Sequence, residues 1–286
     1  MHDQAEQLRM QMQQMSERSP LKTMAVVSGK GGVGKSNFLL NFALAQCKKG
    51  KKVLLFDLDI GMGNIDMLLG TTSSKTIVNM FENGDRLEAL IQKGPHNLSY
   101  VAGGTGLVNI LEFTAEKIHY LIQEMETIAH DYDYFMFDLG AGMSESYVRF
   151  LKAVSKIVVV TTPEPTALMD AYAAIKLFSA NRVTGKIDII VNRADTKQEG
   201  VLTFNRLETV VNKFLGKDIK LLGIIPNDRS VSQAVMARTP FILSRVASPA
   251  SRSILKMAYE EDLQREEGLE IQGGFLKRLK QFFLER

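Results

Sequence analysis

The most informative stretch of the sequence is Ser28-Gly29-Lys30-Gly31-Gly32-Val33-Gly34-Lys35-Ser36, which lies between an apolar run and a helix-like run. A strand that ends in a glycine-rich turn and continues as a helix directs several backbone N–H groups, and the positive end of the helix dipole, at one point. Residues 29–36 fit the nucleotide-loop pattern G-x-x-x-x-G-K-[ST], in which Lys35 reaches the β- and γ-phosphates and the Ser36 hydroxyl ligates Mg²⁺. The stretch therefore predicts a loop that binds the phosphates of a nucleotide.

Two later apolar runs end in carboxylates. Residues 52–56 read as a buried strand followed by Asp57 and Asp59, and residues 134–137 read as another, followed by Asp138. Ligands of open α/β sheets bind at the carboxyl ends of the strands, so these acids are expected beside the phosphate loop. A central strand that is buried on both faces would place Asp138 where it holds Mg²⁺ directly or through water.

Most of the predicted strands are followed by a helix of crossover length, which favours a parallel sheet with right-handed connections. The predicted fold class is α/β, a P-loop NTPase sandwich with a mainly parallel sheet flanked by helices on both faces. With 286 residues, of which 45% are hydrophobic, the chain can bury one sizeable core. The expected division is a mobile tail (1–20), one P-loop ATPase domain (21–263), a linker (264–274) and a C-terminal amphipathic helix (275–286).

A second lysine, Lys30, distinguishes this loop from an ordinary phosphate loop. The segment from Lys30 to Ser36 resembles the deviant loop of the MinD/ParA/nitrogenase-reductase family of ATPases, although Asn37 stands where that family usually has threonine. The resemblance implies ATP or ADP with Mg²⁺ as the ligand. It also implies that Lys30 crosses a dimer interface to the phosphates held by the other subunit, so that nucleotide binding and homodimerisation strengthen each other by the same factor.

The resemblance also implies roles for the acids. Residues 56–64 resemble the family's switch I, with Asp57 near the Mg²⁺ shell and Asp59 aligning the attacking water, and residues 140–142 resemble switch II. The iron–sulfur carriers of the superfamily need paired cysteines to bridge a cluster, and the single Cys47, which is expected to be a packed thiol, excludes them. The implied catalytic residues are Lys30, Lys35, Asp59 and Asp138, and the implied metal ligands are Ser36, Asp57 and Asp138.

Three further segments are candidates for contacts with the nucleotide. Glu164 lies in a segment that resembles the family's T-x-P-E motif, and it either contacts the nucleotide across the dimer interface or caps the next helix. The Asn192 amide can pair with the N6/N7 edge of adenine, and Arg193 can stack on the base. The same segment also resembles the guanine-reading N-K-x-D of GTPases, but the deviant lysine favours ATP. The third segment is a loop with Pro226 and Asp228, which is expected to close over adenine. The full set of candidate nucleotide-binding residues is Gly29, Lys30, Gly31, Gly32, Val33, Gly34, Lys35, Ser36, Asn37, Glu164, Asn192, Arg193, Pro226 and Asp228.

Residues 1–20 are glutamine-rich and polar, which favours a mobile tail. Leu8, Met12 and Met15 nevertheless repeat at helical spacing and would form one apolar stripe against a partner. The segment 3–9 resembles the N-terminal signature of the flagellar-number branch of the family, called FlhG, FleN or YlxH. That branch implies two partners, the signal-recognition-type GTPase FlhF, whose hydrolysis the tail stimulates, and the flagellar switch-complex (C-ring) proteins. The candidate partner-binding residues are Gln4, Gln7, Leu8 and Arg9.

The segment 275–284 has the pattern of an interfacial helix, with large apolar residues on one stripe and bases beside or opposite it. Alternatively the helix packs on its own domain, and both states can occur at different times. Each base contributes about 1 kcal/mol near an anionic leaflet, so one copy should bind a membrane marginally, whereas two copies on an ATP-held dimer should bind more tightly. The candidate membrane residues are Phe275, Leu276, Lys277, Arg278, Leu279, Lys280, Phe282 and Phe283.

The net charge and the distribution of apolar residues limit the classes of function that the sequence allows. The net charge of +3 is too small to imply nucleic acid by itself. With no signal peptide and no long apolar run, the protein is expected in the cytoplasm, peripheral on the inner face of the cell membrane when ATP-bound. The family resemblance, together with these patterns, implies a slow Mg²⁺-dependent ATPase that dimerises with ATP, associates with the anionic membrane surface and regulates flagellar number and placement. A MinD-type cell-division positioner and a ParA-like DNA-partition ATPase remain open as alternatives.

Overall fold

Eight strands form one sheet at the centre of the computed structural model, which describes residues 21–59, 64–104, 115–140, 145–263 and 274–284. The strands are β1 (Lys22–Val27), β2 (Val53–Leu58), β3 (Gln92–Lys93), β4 (Ser99–Val101), β5 (Tyr134–Leu139), β6 (Lys156–Thr161), β7 (Lys186–Ala194) and β8 (Lys220–Pro226). Their order in the sheet is β3-β4-β2-β5-β1-β6-β7-β8, and the neighbours are parallel except for β3 with β4. The predicted α/β fold with a mainly parallel sheet is confirmed.

Helices connect the parallel strands. Within the described residues they are α1 (Lys35–Lys48), α2 (Asn64–Leu69), α3 (Ile77–Asn83), α4 (Ala115–Ile128), α5 (Glu145–Ala153), α6 (Pro165–Ala180), α7 (Lys197–Leu215), α8 (Arg229–Met236), α9 (Phe241–Ser244), α10 (Pro249–Leu263) and α11 (Phe275–Leu284). The predictions for the tail (1–20), the linker (264–273) and Ala141 and Gly142 of switch II lie outside the described residues.

The two faces of the sheet carry two apolar cores. Along β5 the side chains alternate, so that Phe135 and Phe137 lie in one core and Tyr134 and Met136 lie in the other. This alternation follows from the two-residue period of a strand, and covering both faces is what a parallel sheet requires. Cys47 of α1 lies in the second core, where burial raises the pKa of its thiol to about 11, as expected for a packed thiol.

One helix begins earlier than its apolar pattern indicates. The sequence pattern predicts a helix from Val201, whereas α7 starts at Lys197. Thr196 is the reason, because its hydroxyl accepts a hydrogen bond from the Glu199 backbone N–H, and the Glu199 carboxylate in turn accepts one from the Asp195 backbone N–H at 2.7 Å. These side chains satisfy N–H groups that a helix end otherwise leaves without partners.

The C-terminal helix α11 packs on its own domain, against α4 and α5. Phe275 and Leu279 are buried, and the Phe275 ring lies 5.5 Å from that of Phe137 and 5.9 Å from that of Phe150. The docked alternative therefore describes this structure, and binding to a membrane stays a prediction. Within the described residues, no helix combines the length and the apolarity that crossing a membrane would need.

Two of the helix's bases also contact the domain. The Arg278 guanidinium donates a 2.9 Å hydrogen bond from Nε to the Ala153 carbonyl oxygen. The Lys280 ammonium lies 2.7 Å from the Glu126 carboxylate. These two contacts add polar links to the apolar packing that holds the helix on the domain.

A partly buried lysine joins the far end of the sheet to α10. Lys156, at the start of β6, pairs with Asp188 of β7 at 2.9 Å and with Glu261 of α10. Burial alone would lower the pKa of Lys156, but the Glu261 and Asp188 carboxylates raise it above its ordinary value. The ion triad therefore holds a charged lysine in the interior and fixes the last helix before the linker.

Candidate active site

The phosphate loop has close contacts that only glycine permits. A Cβ atom at Gly29 would lie 2.2 Å from the Asp170 carbonyl oxygen of α6. Gly34, which directly precedes α1, has a φ of 94°, and a Cβ atom there would lie 2.4 Å from the Asn192 amide nitrogen. The loop is thus held between α6 and β7, directly before the N-terminus of α1.

Lys35 lies between two carboxylates that come from different strands. Its ammonium is 2.5 Å from Asp138 Oδ1 and 3.4 Å from Asp59 Oδ2, and both Lys35 and Asp138 are buried. The register of the parallel strands explains this convergence, because Asp57 at the end of β2 pairs directly with Asp138 of β5. The structure therefore brings together the lysine and the acids that the sequence predicts.

The residues expected to hold Mg²⁺ fit that ion. Asp138 Oδ2 is buried and has no hydrogen-bond partner among the described residues, and the Ser36 hydroxyl lies 3.5 Å from the Lys35 ammonium. Burial raises the pKa of Asp138, although the Lys35 charge and the Ser36 hydroxyl oppose the rise. Carboxylate and hydroxyl oxygens are the hard ligands that Mg²⁺ prefers, so Ser36 and Asp138 would hold it.

Asp57 has a different environment. Its two oxygens each accept a backbone N–H, from Asp59 and from Ile65, both at 3.1 Å. Burial, followed by the neighbouring Asp138 charge, raises the pKa of Asp57 to about 7. Asp57 therefore fixes the backbone of the segment that carries Asp59, and its place near the Mg²⁺ shell stays a prediction.

Two side chains at the site were given no role by the sequence reasoning. Asn64 donates from Nδ2 to Asp59 Oδ2 at 3.0 Å, and Tyr147 of α5 donates its hydroxyl to the Leu58 carbonyl at 3.1 Å. Burial, with the Asp59, Asp57 and Asp138 charges, raises the pKa of Tyr147 and keeps its hydroxyl a donor. The position of Asn64 in the switch I segment was the only available signal, since Tyr147 is distant in sequence.

Lys30 contacts its own chain in this structure. Its ammonium lies 3.2 Å from the Glu164 carboxylate and 3.2 Å from the Thr166 hydroxyl, and both charged side chains are exposed. Glu164 stands at the N-cap of α6, but its side chain makes no capping hydrogen bond. Glu164 therefore occupies the N-cap position that the capping alternative expects, but its carboxylate pairs with Lys30 and does not cap the helix by a hydrogen bond. The contacts of both residues across a dimer interface stay predictions.

The segments expected around the base lie at the same edge of the sheet. Pro226 ends β8 beside Ala194 of β7, two residues after Asn192. The Asp228 carboxylate caps α8 by accepting the Ser230 backbone N–H, and it also accepts that of Ala250. Although burial would raise it, these hydrogen bonds lower the pKa of Asp228. With its carboxylate so engaged, Asp228 fixes the backbone of this loop, and the contact of the loop with adenine stays a prediction.

Comparison with known proteins supplies the family. The ParA family profile, described as that of the NUBPL iron-transfer P-loop NTPase, matches residues 20–260. The chain belongs to the ParA/MinD family of P-loop NTPases. As a member of this family, the protein is an ATPase.

Three relatives show how far the similarity extends. The chain is 33% identical to the antiactivator FleN of Pseudomonas aeruginosa over 251 residues, which are 88% of this chain and 90% of FleN. It is 36% identical to the flagellum site-determining protein YlxH of Helicobacter pylori over 229 residues, 79% of this chain and 76% of YlxH. The structure of the cell division protein MinD from Aquifex aeolicus superposes with a TM-score of 0.68 at 26% identity, covering 85% of this chain and 97% of MinD.

Proposed function

We propose that this ATPase regulates the number and placement of flagella, as an ATP-dependent homodimer on the cytoplasmic membrane that stimulates the GTPase FlhF. The observation that carries the proposal is the similarity to FleN and YlxH over most of each chain. YlxH is a flagellum site-determining protein by name, and FleN is an antiactivator. The flagellar switch-complex proteins are the further partners that this role requires.

The positions of the site residues support a proposed task for each of them in ATP hydrolysis. The γ-phosphate oxygens must replace carboxylates around the Lys35 ammonium, which frees Asp59 to orient the attacking water. Ser36 and Asp138 would hold Mg²⁺, and the ion would supply stabilisation of negative charge on the phosphates. Asp57 and Asn64 keep the segment around Asp59 in place, because each holds it through hydrogen bonds.

Dimerisation is proposed to depend on Lys30. Its ion pair with Glu164 is exposed, with 43% and 60% of the two side chains accessible. An exposed pair of this kind contributes about 0–1 kcal/mol, so it does not prevent Lys30 from reaching phosphates held by a second copy. ATP binding and pairing then strengthen each other.

Membrane binding is proposed to require release of α11. In the docked helix Phe275 and Leu279 are buried, and Arg278 and Lys280 contact the domain. These are the groups that would meet acyl chains and anionic headgroups. Two released helices on one dimer bind far better than one, since the second engages at a high effective concentration.

Vesicle sedimentation tests the membrane and dimer parts of the proposal. With vesicles containing anionic lipid, we expect the protein to sediment with ATP and to stay in the supernatant with ADP. Lys30→Ala should abolish both the dimer, measured by light scattering, and the sedimentation with ATP. Pairing and sedimentation of Lys30→Ala at the level of the unaltered protein would show that this lysine is not the link.

The flagellar part is tested with the tail. Deletion of residues 1–20 should abolish the stimulation of FlhF GTPase activity while leaving ATP hydrolysis intact. Gln4→Ala and Gln7→Ala are the first single substitutions to measure, and Gln13→Ala, in the same tail but outside residues 3–9, is the matched control. Full stimulation by the truncated protein would remove the flagellar assignment.

A MinD-type cell-division role is the second candidate, favoured by the structural similarity to MinD of A. aeolicus. It predicts no effect of the tail on FlhF. A ParA-like DNA-partition role instead predicts non-specific DNA binding with a steep salt dependence, which survives Phe282→Ser and Phe283→Ser. Filter binding between low and high salt distinguishes this candidate from the membrane-bound ones.

A further inference from the structure

An asparagine at the end of β7 is hydrogen-bonded to the phosphate loop. Asn192 Nδ2 donates to the Val33 carbonyl oxygen at 2.7 Å, across 159 positions of sequence. This is a shorter contact than that between Asn192 Oδ1 and the Arg193 backbone N–H, at 2.9 Å. The sequence assigns Asn192 to the adenine base, but in the structure its amide reaches the part of the loop that precedes Lys35.

The amide has a fixed orientation. Because Oδ1 accepts from the Arg193 backbone and Nδ2 donates to Val33, a flip of the amide group would break both hydrogen bonds. The approach is so close that a Cβ atom at Gly34 would lie 2.4 Å from Nδ2. The contact between the loop and Asn192 therefore depends on a glycine at position 34.

Holding the Val33 carbonyl determines the direction of the next N–H group. The peptide unit between Val33 and Gly34 is planar and trans, so its N–H points opposite to its carbonyl. A carbonyl held by Asn192 therefore turns the Gly34 N–H away from β7. Backbone N–H groups of this loop type are the ones that bind phosphate.

We propose that Asn192 is a positioning residue for the phosphates, which holds the loop through Val33 whether or not a base is present. An amide nitrogen carries two N–H groups, and the second remains for an acceptor on the base. One side chain would then join the base site to the phosphate site. The proposal rests on nucleotide binding by this ATPase and is independent of the flagellar and membrane roles.

A ligand without a base separates positioning from base reading. We expect Asn192→Ala to weaken the binding of Mg²⁺-tripolyphosphate by about threefold to tenfold, the effect of losing one hydrogen bond. Asn181→Ala is the matched control, because Asn181 also donates from Nδ2 to one backbone carbonyl, that of Leu177 at 3.0 Å, but lies at the end of α6 away from the loop. A residue that only reads the base would leave tripolyphosphate binding unchanged, and that result would overturn the proposal.

A second variant separates the hydrogen bond from simple packing. Asn192→Leu keeps a side chain of similar volume but cannot donate, so it should weaken tripolyphosphate binding as Asn192→Ala does. Hydrogen exchange in residues 29–36 of the protein without ligand should become faster in both variants and stay unchanged in Asn181→Ala. Unaltered exchange and unaltered tripolyphosphate binding in Asn192→Leu would show that the side chain only fills space, and the proposal would be wrong.

Discussion

Shortening Leu279 should release the C-terminal helix while the rest of the domain stays folded. The Leu279 side chain is fully buried between α11 and the domain. Replacing a buried leucine by alanine costs about 2–5 kcal/mol. The Lys280 and Glu126 side chains are each 40% exposed, and such a surface pair contributes at most about 1 kcal/mol. The loss at Leu279 is therefore large compared with the polar contacts, so α11 should open more often, although Phe275 keeps its packing against Phe137 and Phe150.

Hydrogen exchange measured by mass spectrometry tests this expectation. In Leu279→Ala, a loss of about 2 kcal/mol corresponds to a roughly 30-fold rise in the exchange of residues 275–284. Exchange in β5 should remain slow, because the sheet does not depend on this helix for its strand pairing. Gln281→Ala, an exposed position on the same helix, is the control and should leave exchange unchanged.

A change on the domain side tests release without altering the helix itself. Glu126→Lys replaces the partner of Lys280 by a like charge, so we expect more sedimentation with anionic vesicles in ADP than for the unaltered protein. The docking of α11 through Leu279 is refuted if Leu279→Ala leaves the exchange of residues 275–284 at its original rate. It is also refuted if exchange rises equally throughout the sheet.

Three further outcomes follow from buried groups. Because the pKa of the Cys47 thiol is about 11, only about one thiol in a thousand is ionised at pH 8. A thiol reagent should therefore label the protein only after denaturation. Rapid labelling of the native protein would contradict this expectation. Glu261→Gln should lower the free energy of unfolding by about 3 kcal/mol in denaturant titrations at pH 7. The carboxylates raise the pKa of Lys156 in the folded protein. The difference in the free energy of unfolding should therefore persist up to the ordinary lysine pKa and disappear as pH rises through the higher pKa of the folded protein. An equal difference at every pH would be evidence against the ion triad. Asp138→Asn should remove the Mg²⁺ requirement of ATP binding in calorimetric titrations with and without Mg²⁺, whereas a retained requirement would place the ion elsewhere.

The phosphate loop and the acids beside it could be predicted because each depends on local sequence. A glycine pattern between a strand and a helix specifies the loop, and an aspartate at the end of a buried strand must lie at the carboxyl edge of a parallel sheet. The observed pairing of Asp57 with Asp138 in the register of β2 and β5 follows from the same rule. Local patterns and strand direction were sufficient for this part of the site.

Contacts between distant segments could not be predicted in this way. Tyr147 reaches the Leu58 carbonyl across 89 positions, and nothing in the spacing of either residue indicates a partner. The docking of α11 is a second example, because an apolar stripe beside bases has the same pattern whether it covers a domain or a lipid surface. The stripe indicates that the helix has a partner, and only the packing of Phe275 against Phe150 shows which partner it has here.

The two carboxylates beside Lys35 have a consequence for turnover. An arriving phosphate competes with Asp59 and Asp138 for the ammonium, so binding exchanges one anionic neighbour for another. When the product leaves, the Asp59 and Asp138 carboxylates return to the Lys35 ammonium. Its positive charge is therefore never buried without a negative partner. Such a site binds the nucleotide less tightly than a lysine without carboxylate neighbours would. The same exchange lowers the electrostatic barrier to release of the product.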